Sequence, residues 1–305
     1  MINGLDRKLV LALQQNGRAS HVELATQLGV HVSTVAKKME ALDQNETMKI
    51  RALPNPFKLG FIAHAFIAIE ADSKKINDIC QTLYQHFNVN LVVTVFGRFD
   101  ILAIVYFPTW EKLLDFVFTD LCVTEGVNNV ETFFVKDIKK RLYGRVFDNV
   151  VPAKIDGVDL KIIEKLTENG RYTAQHLAED LGISLPTCIR RLSRLLVENV
   201  IEIKAVPNPS KIGYPSNAFM LLKVDHDKLE KVCAILKSYP NVFLVMTLFN
   251  SYDIVIGFNA ASSEELHNLI NSEILSIDGI IGDETIVRAE IKKRYYGGFL
   301  EDSAV

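Results

Sequence analysis

The chain repeats itself. Its 305 residues contain two copies of one long unit, and matching positions differ by 153 (159 − 6 for Asp159 and Asp6) without a gap. The offset pairs Asn16-Gly17-Arg18 with Asn169-Gly170-Arg171. A unit of this length is large enough to fold by itself, unlike a solenoid repeat. The sequence therefore predicts a duplicated two-domain protein.

Each copy is predicted to begin with three short helices. Leu5, Leu9 and Leu13 recur every four residues, as one buried helical face requires. Ser20 and Glu23 have the spacing of a capping box at the start of the second helix, and Gly29 ends that helix. A helix, a tight turn containing glycine and another helix form the pattern of a helix-turn-helix.

The rest of each copy alternates between strand and helix patterns in the order β-α-β-β-α-β, which is ferredoxin-like. In the first copy, strands are predicted over 62–70, 90–96, 101–106 and 127–135, with helices over 74–87 and 109–121. The basic run Lys139-Lys140-Arg141 that follows is expected to be a solvated tail, with a phosphate-binding or inter-subunit role as the alternative.

The fold class is thus α+β, with two tandem copies of a helix-turn-helix domain followed by a ferredoxin-like domain. The predicted boundaries are 1–53 and 54–144 for the first copy, 145–157 for a linker, and 158–206 and 207–298 for the second copy.

Charge is distributed unevenly along the chain, whose net charge is −3. Residues 1–60 carry +3 and residues 154–213 carry +1, so the remainder carries −3 − 4 = −7. The negative charge therefore lies outside the two predicted helix-turn-helix segments. No apolar run reaches the roughly 20 residues that a membrane span needs, and a cytoplasmic location is expected.

Cysteine and histidine patterns predict neither a metal nor a cofactor. The four cysteines stand singly, without a CxxC motif, and are expected to be small core residues. The seven histidines have no metal-ligand spacing.

Together these motifs resemble the Lrp/AsnC (leucine-responsive regulator) family over essentially the whole chain, twice. The resemblance rests on Leu5-Asp6-Arg7-Lys8, the two Asn-Gly-Arg motifs, the two Pro-Asn-Pro connectors at 54 and 207, and Gly97-Arg98-Phe99-Asp100 between two strands. It implies a DNA-binding domain joined to a domain that dimerises and binds amino acids or similar small molecules. Family members are usually single-copy, so self-association through the effector domains, as an intramolecular pseudo-dimer or a homo-oligomer, is expected here.

The third helix of each helix-turn-helix is the expected reader of duplex DNA, because arginine and lysine on its outer face can contact guanine or phosphate. A solvated basic face is the alternative. The first copy is the weaker candidate, since Glu40 and Asp43 follow its basic residues and His31 replaces a capping serine. The predicted DNA-binding residues are Ser33, Thr34, Lys37, Lys38, Ser184, Thr187, Arg190, Arg191 and Arg194.

Two loops between central strands are the candidate effector site. A zwitterionic amino acid needs a carboxylate for its ammonium group and N–H donors for its own carboxylate. Asp100 or Asp253 would supply the first, and loop N–H groups with Arg98 the second. An ordinary strand connection with a turn-stabilising Asp is the alternative. The predicted effector-binding residues are Gly97, Arg98, Phe99, Asp100, Asn250, Ser251, Tyr252 and Asp253.

Two other functions are compatible with this domain order. Siroheme decarboxylases have a similar architecture and use a histidine-containing loop between the central strands, whereas neither loop here contains histidine. A metabolite-binding adaptor whose helix-turn-helices no longer bind DNA is the other alternative. The leading hypothesis remains a regulator that is not an enzyme.

Overall fold

A computed structural model describes residues 4–86, 88–141 and 151–294. The predicted linker 145–157 and the ends of both predicted ferredoxin-like domains lie partly outside the described residues. The first copy contains α1 (Gly4–Gln15), α2 (His21–Leu28), α3 (Val32–Gln44), β1 (Met48–Pro54), β2 (Ala63–Ala71), α4 (Ile76–Gln85), β3 (Val89–Phe96), β4 (Ile101–Phe107), α5 (Trp110–Asp115) with a π-helical extension (Phe116–Leu121), and β5 (Val127–Lys140).

The second copy repeats this order. It contains α6 (Gly157–Glu168), α7 (Ala174–Leu181), α8 (Leu185–Val197), β6 (Ile201–Pro207), a 3-10 turn (Pro209–Ile212), β7 (Ser216–Val224), α9 (Leu229–Ser238) after a 3-10 turn (His226–Lys228), β8 (Val242–Phe249), β9 (Ile254–Ala260), α10 (Ser263–Asn268) with a π-helical extension (Leu269–Ile274), and β10 (Ile280–Arg294). Helix and strand bounds in the two copies differ by 153 throughout, apart from the final residue of the last strand. The predicted α+β fold is confirmed.

The chain folds into two compact units, each built from both copies. One unit contains residues 4–59 and 151–213, so it joins the two helix-turn-helix domains. The other contains residues 60–141 and 214–294, so it joins the two ferredoxin-like domains. The sequence repeat predicted the four domains, but it did not predict which of these domains would share a core.

A two-stranded antiparallel ribbon joins the helix-turn-helix domains. Strand β1 of the first copy pairs with β6 of the second, with Arg51 opposite Lys204 near its centre. A single apolar core runs through both domains and includes Leu13, Leu24, Leu177 and Leu195, all almost fully buried. The ribbon and the shared core make one folding unit from two helix-turn-helix domains.

The two Asn-Gly-Arg motifs fasten this unit. The Arg18 guanidinium donates to the Tyr172 carbonyl at 3.3 Å, and Arg171 donates to the Ala19 carbonyl at 2.7 Å. Each motif's glycine lies against the ribbon, where the Gly17 N–H donates to the Ile203 carbonyl at 3.0 Å. The motif is therefore a reciprocal contact between the copies.

In the other unit, each copy forms one four-stranded sheet, and the sheets join along both edges. The strand order is β10-β3-β4-β2-β5-β8-β9-β7, and β10 also pairs with β7, which closes the order. Within each copy this is the predicted ferredoxin-like arrangement. The Phe66 and Phe219 rings lie 5.6 Å apart, so strands β2 and β7 of the two copies face each other through aromatic contact.

The last strand of each copy is longer than predicted because it belongs to both sheets. The first half of β5 pairs with β2 of its own copy, and its second half pairs with β8 of the other. Lys139 and Lys140 lie in that second half, where the Lys140 ammonium donates to the Lys237 carbonyl at 2.8 Å. The Lys139 ammonium donates to Glu230 of the other copy at 3.0 Å. The expectation of a solvated tail at these two residues was wrong, since both side chains reach the other copy.

Three cysteines, Cys80, Cys188 and Cys233, are buried as predicted. Burial raises the pKa of Cys80 and of Cys233 to about 11. Cys122 is exposed instead. It follows the π-helical extension of α5, at a position where the second copy has Leu275.

The close approach at Gly17 gives a stability prediction. A Cβ at this position would lie 2.7 Å from the Ile203 carbonyl oxygen, which is backbone and cannot move aside without distorting the ribbon. We expect Gly17→Ala to destabilise the helix-turn-helix unit by about 1–3 kcal/mol, the usual range for overpacking. Urea unfolding followed by circular dichroism measures the change.

Gly157→Ala is the matched control, because a Cβ there meets nothing within 4 Å. That variant should be neutral or slightly stabilising, since it starts helix α6. Equal stability of the Gly17 and Gly157 variants would show that the ribbon contact is not formed in solution.

Candidate DNA-binding and effector sites

The recognition helices α3 and α8 form as the sequence predicts. Ser184 caps α8, and its hydroxyl accepts from the Thr187 N–H at 3.4 Å. His31 precedes α3 without a side-chain capping bond. The Ser20–Glu23 capping box at α2 is also present. Capping fixes the start of α8 more firmly than that of α3.

Arg191 and Arg194 face their own domain as well as the surface. The Arg191 guanidinium lies 2.9 Å from one Asp159 carboxylate oxygen, and Arg194 binds the other. Arg191 also reaches Asp156 at 2.7 Å, and a hydrogen bond from the Asp159 N–H together with this ion pair lowers the pKa of Asp156. Both arginines therefore tie α8 to α6, a role that sequence reasoning missed.

The first copy has a simpler version of this contact. Lys38, which matches Arg191, lies 2.6 Å from the Asp6 carboxylate. The outward positions on the two helices are Lys37 and its counterpart Arg190, both exposed. Ser33 is exposed beside Lys37, while Thr34 and Thr187 are half-buried. The exposed cations on each recognition helix are thus fewer than the predicted set.

Asp100 and Asp253 stabilise their loops. The Asp100 carboxylate accepts from the Ala71 N–H at 2.8 Å, and the Asp253 carboxylate accepts from the Val224 N–H at the same distance. Both also bond through their main chains, since the Asp100 N–H donates to the Ile69 carbonyl at 2.9 Å. The turn-stabilising role that the sequence left open is present at both residues.

Arg98 lies among three carboxylates. It pairs with Glu131, lies 3.3 Å from Glu70, and lies 3.8 Å from Glu284 of the other copy. Its guanidinium also stacks on the Phe99 ring, with 4.7 Å to the centroid. Because one cation faces three anions, this Arg98 cluster keeps a net negative charge. It would favour a ligand's ammonium group beside the arginine.

The second loop has different chemistry at the matching positions. Ser251 stands in place of Arg98, and the Tyr252 hydroxyl donates to Glu284 at 3.0 Å. Burial and this hydrogen bond raise the pKa of Tyr252 to about 12, so the phenol stays protonated. Phe99, its counterpart, is almost fully buried and offers no surface to a ligand.

Each loop also reaches the last strand of the other copy. Asn250 donates to the Thr132 carbonyl at 2.8 Å and so fills the space beside that strand. At Gly97, whose φ of 133° favours glycine, a Cβ would find only the Thr285 carbonyl, 3.9 Å away. The first loop therefore leaves room where the second loop places a side chain.

Glu131 and Glu284 were missed as site residues, although they are matching positions in the two copies. The matching glutamates could have marked these positions as candidates. The sequence of one strand does not show, however, that its glutamate faces the loop of the other copy. Within the described ranges, no group of three or more His, Cys, Asp or Glu residues is placed to hold a metal ion. No helix among the described residues is both long and apolar enough to cross a membrane.

Protein-family models cover both copies in order. Residues 2–43 match an AsnC-type helix-turn-helix domain, and residues 155–202 match a winged helix-turn-helix DNA-binding domain. Residues 61–148 match a C-terminal dimeric alpha+beta barrel domain, and residues 217–296 match the Lrp/AsnC ligand binding domain. The folds and their order agree with these assignments.

Curated relatives are single-copy regulators. An uncharacterized HTH-type transcriptional regulator of Pyrococcus furiosus is 32% identical over 148 residues, which are 48% of this chain and 100% of the relative. The HTH-type transcriptional regulator FL11 of the same organism is 33% identical over 46% of this chain and 92% of its own length. The chain belongs to the Lrp/AsnC family of helix-turn-helix transcriptional regulators, and it is a DNA-binding regulator of that family with both domains present twice.

A solved structure shares the whole two-copy fold. The siroheme decarboxylase NirDL, solved with an iron-uroporphyrin III analogue, superposes with a TM-score of 0.69 over 97% of this chain and 96% of its own. Sequence identity is 17%, so this likeness shows a shared fold.

Proposed function

We propose that this chain is a sequence-specific transcriptional regulator that reads two different half-sites and responds to an amino acid or a related small molecule. The observation that carries the proposal is the pairing of two unlike recognition helices through the β1–β6 ribbon. A DNA-binding regulator works where the DNA is, so the cytoplasm is its proposed location.

The proposed pseudo-dimer lies within one chain. Support comes from the ribbon, the reciprocal arginine contacts and the shared last strands, all of which join matching elements of the two copies. Two-fold related recognition helices suit DNA half-sites that follow one another along the duplex. Here the two halves differ, so the half-sites should differ as well.

The two helices present different side chains to DNA. On α8, exposed Arg190 lies next to exposed Ile189, which suits guanine and a thymine methyl group respectively. On α3, exposed Lys37 is followed by exposed Glu40, which repels phosphate. Arg191, Arg194 and Lys38 support their helices through ion pairs. Direct DNA contact is therefore assigned to Arg190, as a base contact, and to Lys37, as a phosphate contact, with α8 contributing more.

The proposed effector site lies at the Arg98 cluster. Glu131 and Glu284 would take the ammonium group of an amino acid, while Arg98 has donors enough to hold Glu131 and a ligand carboxylate together. This reassigns the ammonium partner from Asp100, whose carboxylate holds the Ala71 N–H. Ligand binding changes the protein's state only if it favours one arrangement over another.

The alternative function is an enzyme like the siroheme decarboxylases. The shared fold favours it, but neither loop between the central strands contains histidine. His64, elsewhere on the sheet, is buried beside Tyr106 with its ring 4.4 Å away, and burial lowers its pKa to about 4. A group that stays neutral and enclosed is poorly suited to donating protons near neutral pH.

DNA binding gives the first test. Arg190→Ala should weaken binding to the preferred operator about tenfold or more, because a bidentate base contact contributes about 1–3 kcal/mol. Lys37→Ala should cost less binding free energy than Arg190→Ala. Its main effect should be a weaker salt dependence of DNA binding, by the amount that about one phosphate contact contributes. Fluorescence anisotropy at several salt concentrations measures both.

Ser193→Ala, an exposed uncharged position on α8, is the control and should bind as wild type does. Equal losses for Arg190→Ala and Lys37→Ala would contradict the asymmetry. Wild type that binds no duplex DNA would leave the adaptor hypothesis, and equally tight binding to unrelated DNA would contradict sequence-specific recognition.

Effector binding gives the second test. Arg98→Ser places the second copy's residue in the first loop, and Glu131→Gln removes one carboxylate. We expect each variant to bind, with about tenfold lower affinity, the amino acid that wild type binds, which is the usual loss when a charged hydrogen-bond partner is removed. Isothermal titration calorimetry against a panel of amino acids measures it.

Ser251→Ala is the control and should bind the amino acid as wild type does, since the proposed site lies at the Arg98 cluster and no longer includes Ser251. Undiminished affinity in both Arg98→Ser and Glu131→Gln would rule out the Arg98 cluster. An absorbance scan after incubation with a haem-like tetrapyrrole separates the alternative, because a bound porphyrin with a strong near-ultraviolet band would support the enzyme.

A further inference from the structure

We infer that an apolar helix face in the first ferredoxin-like domain binds the same face of a second copy of the chain. This α5 face consists of Trp110, Leu114, Phe118 and Val123, on α5, its π-helical extension and the turn that follows. Their exposed fractions are 39%, 38%, 65% and 71%. Large apolar patches are uncommon on the surface of monomeric proteins and mark interaction sites.

Helical geometry places three of these side chains in one row. Trp110 and Phe118 lie four residues on either side of Leu114, and residues four apart are neighbours on the surface of an α-helix. The π-helical extension, Phe116–Leu121, has more residues in each turn than an α-helix. Phe118 therefore stays in line with Leu114 instead of moving further around the helix.

The core of the domain does not account for this row. The core-facing residues of the same helix are apolar and buried in both copies: Leu113, Phe116 and Leu121 in the first, and Leu266, Leu269 and Ile274 in the second. The two copies thus pack their helices onto their sheets in the same way. Folding explains the inner side of α5 and leaves its apolar outer side unexplained.

In the second copy the matching outer face is polar. Its residues are all exposed: Ser263, His267, Asn271 and Ser276. The Asn271 side-chain amide donates to the His267 carbonyl at 3.0 Å. The same fold therefore accepts either kind of surface at this position, and the apolar face belongs to the first copy alone.

Trp110 is held in place at one end of the row. Its ring meets the Phe134 ring of β5 edge to face, with 5.8 Å between the centroids. A side chain that is already ordered loses less conformational entropy when a partner covers it. Tryptophan is also one of the residue types that contribute most to the binding free energy of interfaces.

The row is complementary to itself, which selects a second copy of the chain as the partner. Around a two-fold axis through Leu114, an antiparallel partner places its Phe118 against Trp110 and its Trp110 against Phe118. The exposed parts of the four side chains of the α5 face sum to roughly 400 Å². That area matches the apolar share, somewhat over half, of a standard interface of about 800 Å² per partner.

Association should stop at two chains. In a two-fold pair each α5 face is covered by its partner, and a larger ring would need a second adhesive face on each chain. The matching face of the second copy is polar and does not supply one. A pair would carry two helix-turn-helix domains of each kind, but its formation requires no DNA and does not depend on the proposed regulatory function.

Analytical ultracentrifugation of the full chain without DNA tests the pairing. At about 10 μM, where standard-size interfaces associate, wild type should give twice the chain mass of 34.3 kDa. Reducing conditions exclude crosslinks through the exposed Cys122. The variant Trp110→Ser, Leu114→His, Phe118→Asn carries the second copy's residues and should sediment as a single chain.

Ser263→Ala, His267→Ala, Asn271→Ala is the matched control and should keep the mass of two chains. Phe118→Asn alone, which should raise the dissociation constant about tenfold or more, serves if the triple variant does not fold. A monomeric wild type, an assembly of more than two chains, or a folded triple variant that stays paired would each overturn the proposal.

A disulfide crosslink tests where the axis lies, because only a residue near a two-fold axis meets its own counterpart. Leu114→Cys, made together with Cys122→Ser, should form a covalent pair of chains under mild oxidation. Wild type should not, since Cys122 lies eight residues beyond Leu114, roughly 10 Å along the helix from the axis. Two such cysteines would be about 20 Å apart, and a disulfide needs Cα atoms within about 7 Å. Crosslinking of wild type but not of the Leu114→Cys variant would overturn the proposed pairing.

Discussion

Backbone hydrogen bonding between the two copies is the constraint on which the rest of the structure depends. A strand edge with unpaired N–H and C=O groups is costly when buried and adhesive when exposed. Among the residues that the structure describes, β1 has only β6 as its neighbour, and the far halves of β5 and β10 have only β8 and β3. Neither copy can complete its own ladders. The fold therefore exists only as a pair.

This constraint also explains which features the sequence could predict. Periodicity, caps and glycine positions are local, so helices such as α2 and the strand order within each copy were predicted correctly. The extension of β5 through Lys139 and Lys140 was not, because its partner strand is about a hundred residues away. Similarly, the chemistry of Arg191 could be named, but its orientation toward Asp159 depends on how α8 packs against α6.

In the candidate sites, too, the residues set by local sequence could be predicted, and the residues brought together by packing between the copies could not. Gly97 and Asp100 could be located from their loop, and the turn-stabilising role of Asp100 was one of two predicted roles. Glu131 and Glu284 join Arg98 only when the two sheets close on each other. Sequence comparison of the copies showed that these positions match. Only the folded unit shows that one arginine serves glutamates from both.

Joining the halves in one chain has a consequence for which partners can meet. When separate subunits pair, related proteins in the same cell can exchange halves, and any difference between the halves is lost to mixing. In this chain the ribbon between β1 and β6 forms at a fixed one-to-one ratio, and dilution does not separate its strands. As a result, Trp110 and Ser263 are always present together, as are Gly97 and Asn250. Each molecule therefore contains one half of each kind, and the combination of two unlike halves is inherited as one gene product.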